Sequence, residues 1–187
     1  MLWSPWPSAW SGSLTRAWVP LWYASFAKHR GNFDAIDNGG FPAETFTTLT
    51  GQPADVIRAS DSFGRRGEDK LWRELVRGVA RRDVIVLTTK GEDSTDYHAA
   101  APAALEGSPF AKSRLVDGHA YGVLDVFEKH GQRFVRVLNP WRFQAPRNED
   151  GSSGHPPGVG VITFETYVAA ANNTTFGRMA NLHRRHP

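Results

Sequence analysis

His119 and Asn139 are the two residues whose types and spacing could share one piece of chemistry. They stand near the ends of LVDGHAYGVLDVFEKHGQRFVRVLNPW, residues 115–141. The segment between them reads as two strands, His119 to Phe127 and Gln132 to Leu138, rich in β-branched and aromatic residues. The link around Lys129, His130 and Gly131 is short enough for an antiparallel hairpin, which predicts that His119 and Asn139 lie side by side within hydrogen-bonding reach. An asparagine oxygen that accepts the Nδ1 proton of an imidazole would fix its tautomer and ring plane, leaving Nε2 to exchange a proton with a nucleophile. The amide is neutral, which suits an imidazolium paired with a thiolate. Trp141 is placed to shield the bond from water, where a hydrogen bond is stronger. The nucleophile such a pair calls for is cysteine, and the chain has none. Spacing alone also allows a plainer account: a histidine on a strand is usually a satisfied core or surface residue, and Asn-Pro opens turns.

Several elements must hold this hairpin. From Trp18 to His29 the residues Trp18, Leu21, Trp22 and Phe26 recur at helical spacing, and Gly31 can close the helix. A short helix is expected over Pro42 to Leu49, stopped by Gly51. A longer one fits Glu68 to Arg81, with Leu71, Leu75, Val76 and Val79 on one face and Arg73, Arg77 and Arg81 on another. Asp83 to Thr89 reads as a buried strand, and the aperiodic stretch Lys90 to Val116 as a long functional or mobile loop. A strand at Val159 to Ile162 follows, and Thr163 is expected to cap a last helix through about Ala171. Helices first and strands later predict an α+β domain with a mainly antiparallel sheet.

Composition narrows the function classes. The 187 residues, 40% hydrophobic and 12% aromatic, suffice for one domain with a core. A net charge of +3, with Lys and Arg scattered along the chain, gives no nucleic-acid footprint. Zero cysteines exclude disulfides and thiolate metal sites. Pro5 and Pro7 interrupt the Trp-rich start, so no signal peptide is read, and no apolar run is long enough to span a membrane. A cytoplasmic location is the expectation, with no nucleic-acid or membrane partner. Asp96 and His98, with Glu92 and Asp93, match no metal-ligand spacing and read as a surface loop.

Several blocks in order resemble the calpain family of papain-like cysteine peptidases: AWVPLWYASFAKHRGNFDAIDNGG at 17–40, the following FPAETFTTLTG, GHAYGVLDV at 118–126, RFVRVLNPW at 133–141 and GVGVITFETYV at 158–168. The resemblance covers roughly residues 17–170. It implies the C-terminal half of a papain-like catalytic domain, with His119 and Asn139 as the catalytic histidine and asparagine and Trp141 as the shielding tryptophan. In that family the nucleophilic cysteine lies on an earlier subdomain, so this chain is expected to correspond to the second catalytic subdomain, inactive alone. The expected layout is a Trp/Pro-rich lead-in at 1–16, the catalytic subdomain at 17–172 and a tail at 173–187. The partners implied are a protein or peptide substrate and a cysteine-bearing first subdomain, in cis or in trans.

Two departures stand out. Arg142 occupies the place where the family commonly has glycine after NPW. The segment before the closing strand offers Glu149 and Asp150 where calcium-regulated members are richer in acid, and a Ca²⁺ ion needs many oxygen ligands. The sequence requires no cofactor; calcium enters through the resemblance alone, and a solvated NEDG turn is the preferred account of those two carboxylates. The missing cysteine also supports an alternative, a non-catalytic pseudopeptidase acting as a binding or regulatory module.

Overall fold

The computed structural model describes residues 25–32, 40–62, 64–91, 115–140 and 158–178, and the chain divides into two units, Met1–Phe41 and Pro42–Pro187. In the first unit residues 25–30 are helical. Gly31 ends this run in the left-handed region at φ 115°, its N–H donating to the Lys28 carbonyl at 3.3 Å. This agrees with the C-terminal part of the expected Trp18–His29 helix; residues 18–24 lie outside the described residues.

The second unit opens with α1 (Pro42–Thr50), closed by Gly51 at φ 66°, whose N–H donates to Thr47. There follow β1 (Asp55–Arg58), a 3-10 turn (Ala59–Ser62), α2 (Gly64–Arg81), β2 (Val84–Thr89), β3 (Ala120–Lys129), β4 (Gln132–Leu138), β5 (Val159–Thr163), α3 (Phe164–Ala170) and β6 (Ala171–Gly177). The strands form one six-stranded sheet in the order β1, β6, β2, β3, β4, β5. Every pairing is antiparallel. The fold is α+β, as the order of elements predicts.

The core lies on one face of the sheet. Leu71, Trp72 and Leu75 of α2 pack against Ile85 and Leu87 of β2, Tyr121 and Val123 of β3, and Val135 and Val137 of β4, with Phe164 and Tyr167 of α3 completing the cluster. Helix α3 is capped as expected: the Thr163 side chain accepts from the Thr166 N–H. The β3–β4 turn is a two-residue link in which His130 (φ 52°) and Gly131 (φ 77°) are both left-handed, the backbone that matches the twist of paired strands. Arg133 ties the hairpin to α2, bonding Asp69 at 2.8 Å while its guanidinium lies over the Trp72 ring. No helix among the described residues is long and apolar enough to cross a membrane.

Three expectations need correction. Helix α2 begins at Gly64, four residues before Glu68. Gly67 sits inside the helix where a Cβ would come within 2.7 Å of the Ser62 backbone; glycine there permits a close approach. Val76 is not on the core face: it is 42% exposed, and Trp72 takes the buried position instead. The boundary expected at residue 172 falls within β6, so residues 173–177 belong to the sheet and not to a tail. Strand β6 lies between β1 and β2, and its buried Thr174 shares a 2.8 Å hydrogen bond with the Tyr167 hydroxyl. A run reading ANNTTFG looks polar, but its hydroxyls are satisfied inside the fold.

Candidate functional site

Where β2, β3 and β4 reach one edge of the core face, the apolar row turns polar. Ile85 and Leu87 are followed at period two by Thr89, Val123 and Tyr121 lead back to His119, and Val135 and Val137 lead to Asn139. His119 directly precedes β3 and Asn139 directly follows β4. The His119 Nε2 is 3.0 Å from the Asn139 Oδ1. Asn139 is fully buried, and its backbone N–H donates to the Gly158 carbonyl at 2.8 Å, so the β4–β5 ladder continues through it and fixes the amide.

An irregularity in the hairpin decides whether these two side chains meet. From Lys129↔Gln132 to Asp125↔Arg136 the register is regular, and beyond it the pairs are Val123↔Val137 and Gly122↔Leu138, leaving Leu124 as an extra residue. Side chains alternate along a strand, so a one-residue slip exchanges the faces. In an unbulged ladder Asn139 would share a face with Gly122, and His119 would point to the other side. The bulge sets Asn139 across from Tyr121, with His119 next along the same face. The two are therefore diagonal neighbours and not the equidistant pair that counting from the turn suggests.

The structure also corrects which nitrogen is used. Oδ1 can only accept, so the bonded Nε2 carries the proton and Nδ1 carries the lone pair of the neutral ring. The expected assignment was the reverse. In this tautomer Nδ1 is the ring nitrogen that can take up a proton. Trp141, expected to shield this bond, lies outside the described residues. Two further residues shape the site without having been singled out from sequence. The Tyr121 ring stands edge-on to His119, 5.0 Å between centroids at 89°, and its hydroxyl accepts from the Val116 N–H at 2.8 Å. Thr89 bonds the His119 backbone. The signal for both was the period-two continuation of a buried strand face.

A family profile for the calpain family cysteine protease matches residues 8–150, more than half of the chain. The chain belongs to the calpain family. It is 28% identical over 148 residues to the calpain-type cysteine protease DEK1 of Arabidopsis thaliana, covering 78% of this chain and 6% of the relative. It is 30% identical over 129 residues to the calpain-like protease palB/RIM13 of Aspergillus oryzae, covering 66% of this chain and 13% of the relative. Human calpain-7 is 26% identical over 137 residues, 71% of this chain and 15% of the relative. The chain thus spans a small part of the relatives it matches.

In this calpain-family chain, partial burial pushes the His119 pKa below its ordinary 6.5, and the bond to Asn139 opposes the shift in part. The folded protein therefore binds fewer protons at this site than the unfolded chain just below pH 6.5. The sign follows: the stability linked to His119 is fully present above pH 6.5 and is lost as the pH falls through the folded-state pKa. Proton NMR titration of the imidazole is expected to give a midpoint below 6.5, and Asn139→Ala should lower it further because the opposing hydrogen bond is gone. A midpoint at or above 6.5 in the isolated chain would contradict the burial seen here.

Among the described residues no three His, Asp or Glu side chains gather closely enough to hold a metal ion. Glu149, Asp150 and the group from Glu92 to His98 lie outside the described residues. An open polar depression lined by Arg65, Glu68, Asp69, Glu128, Arg133 and Glu165 sits beside the β3–β4 turn, at the opposite end of the hairpin from His119. It takes no part in this site.

Proposed function

We propose that the chain is the histidine and asparagine half of a calpain-like cysteine endopeptidase, with His119 as general base and acid and Asn139 as its orienter. The observation that carries this reading is the 3.0 Å bond from Nε2 to Oδ1 at the buried edge of a bulged hairpin in a calpain-family chain. With no cysteine among its 187 residues, the chain alone cannot form a thioester, and the nucleophile must come from a cysteine-bearing subdomain in cis or in trans.

With a thiol placed at Nδ1, His119 takes its proton and the thiolate attacks the scissile carbonyl carbon. The imidazolium then gives that proton to the leaving amine as the tetrahedral intermediate collapses to the acyl-enzyme. Water attacks the thioester next, losing a proton to Nδ1, and the thiol is regenerated as the carboxylic acid leaves. Asn139 keeps Nε2–H in place throughout and, being uncharged, leaves the imidazolium free to pair with the thiolate. That pairing would raise the His119 pKa, reversing the direction set by burial.

The test is to mix the purified chain with a separately produced cysteine-bearing first subdomain of a calpain-family protease and follow cleavage of a fluorogenic peptide. Thiol-dependent hydrolysis is expected in the mixture and in neither part alone. The alternative, a non-catalytic binding or regulatory module, is favoured by the absent cysteine. A complex that forms without hydrolysis and leaves the His119 midpoint below 6.5 would establish that alternative and end the peptidase reading.

A further inference from the structure

We infer that Thr89 is a positioning residue for His119, a role that rests on the reading of His119 as the base. Thr89 is 1% exposed and ends β2, where the strand's register against β6 shifts between Thr88 and Thr89. Its own N–H donates to the His119 carbonyl at 2.9 Å, as in an ordinary antiparallel ladder. The return bond is not made to a backbone carbonyl. The His119 N–H donates instead to the Thr89 Oγ1 at 2.8 Å, and that hydroxyl's own proton lies between the Val116 carbonyl at 2.7 Å and the His119 carbonyl at 3.1 Å.

One hydroxyl thus replaces a backbone acceptor at the point where the irregular strand can no longer supply one, and it uses both its donor and its acceptor capacity to do so. The segment entering the site is held at further points. Gly118, left-handed at φ 59°, donates to the Lys90 carbonyl at 2.8 Å, and Val116 donates to the Tyr121 hydroxyl. The His119 Cα is therefore clamped on both peptide sides by Thr89, while Asn139 holds Nε2 and Tyr121 flanks the ring. The direction of Nδ1 follows from these anchors. Serine would keep the hydroxyl. Valine has the shape of threonine but takes the hydroxyl away from the part-buried His119 N–H and Val116 carbonyl.

The experiment uses the full chain labelled with ¹⁵N-histidine and follows the His119 imidazole in wild type, Thr89→Val and Thr89→Ser. In Thr89→Val the Nε2–H is expected to exchange with water about tenfold faster as its bond to Asn139 loosens, with the midpoint moving further below 6.5 because that bond opposes the effect of burial. Thr89→Ser should restore both values to within about twofold of wild type. A Thr89→Val protein that is only less stable to heat, with exchange and midpoint unchanged, would make Thr89 merely structural and overturn the inference. Should Thr89→Val fail to fold, Thr89→Ser decides: wild-type exchange and midpoint support the role, and a displaced midpoint overturns it. These readouts need no cysteine-bearing partner. Failure of the mixing experiment therefore leaves them standing, and an unchanged signal in Thr89→Val beside an active mixture removes Thr89 alone.

Discussion

In an enzyme assembled from this chain and a cysteine-bearing subdomain, His119→Ala is expected to lower kcat/KM toward a peptide by on the order of 10⁴-fold. The size of the effect follows from the number of proton transfers that pass through Nδ1. Without the imidazole the thiol stays largely protonated at neutral pH, the leaving amine departs without a proton, and the deacylating water has no base. Asn139→Ala should cost less, about tenfold to a hundredfold, because it removes the acceptor that orients Nε2 and leaves the ring in place. Both losses should fall on kcat with little change in KM, since neither side chain holds the remote parts of a peptide. Steady-state kinetics on the two variants, with complex formation checked by size-exclusion chromatography, decides the matter. If His119→Ala kept a tenth of the activity while still forming the complex, another group would have to be the base.

The pairing of His119 with Asn139 was legible in the sequence because both lie at the far ends of strands joined by a turn at His130 and Gly131. The manner of pairing was not. A β-bulge leaves no signature in the alternation of AYGVLDVFEK, where Val123 and Val126 are an odd number of residues apart and yet both contact the core. Only the register shows that Leu124 is the extra residue. The assignment of Nε2 depends likewise on where the ring stands relative to β4, which a residue count cannot give. Strand β6 was missed for a different reason: Asn173, Thr174 and Thr175 are poor markers of a core strand, and they become one because Tyr167 and the neighbouring strands satisfy or cover them. Local propensity is weak evidence where tertiary partners decide.

Leu75→Ala is expected to destabilise the chain by about 2–5 kcal/mol, whereas Val76→Ala should change it by about 0.5 kcal/mol or less. The two residues are neighbours on α2, and apolar type alone treats them alike. Leu75 is fully buried in the cluster with Ile85, Leu87, Tyr121 and Val137, so its truncation removes buried methyl groups and opens a cavity that the sheet can only partly close. Val76 is 42% exposed, and its truncation removes little from the core. Urea denaturation of the two variants separates them; equal losses would mean that α2 is rotated from the position described here. The consequence reaches the site, because α2 covers the same strand face on which Tyr121 leads to His119 and Val137 leads to Asn139. At urea concentrations where Leu75→Ala is still folded, its His119 midpoint should stay below 6.5 if the bulged hairpin, fastened at Thr89 and Gly158, holds the pair independently of core packing. A midpoint that rises with the cavity would instead make the helix part of the machinery that sets the proton affinity of His119.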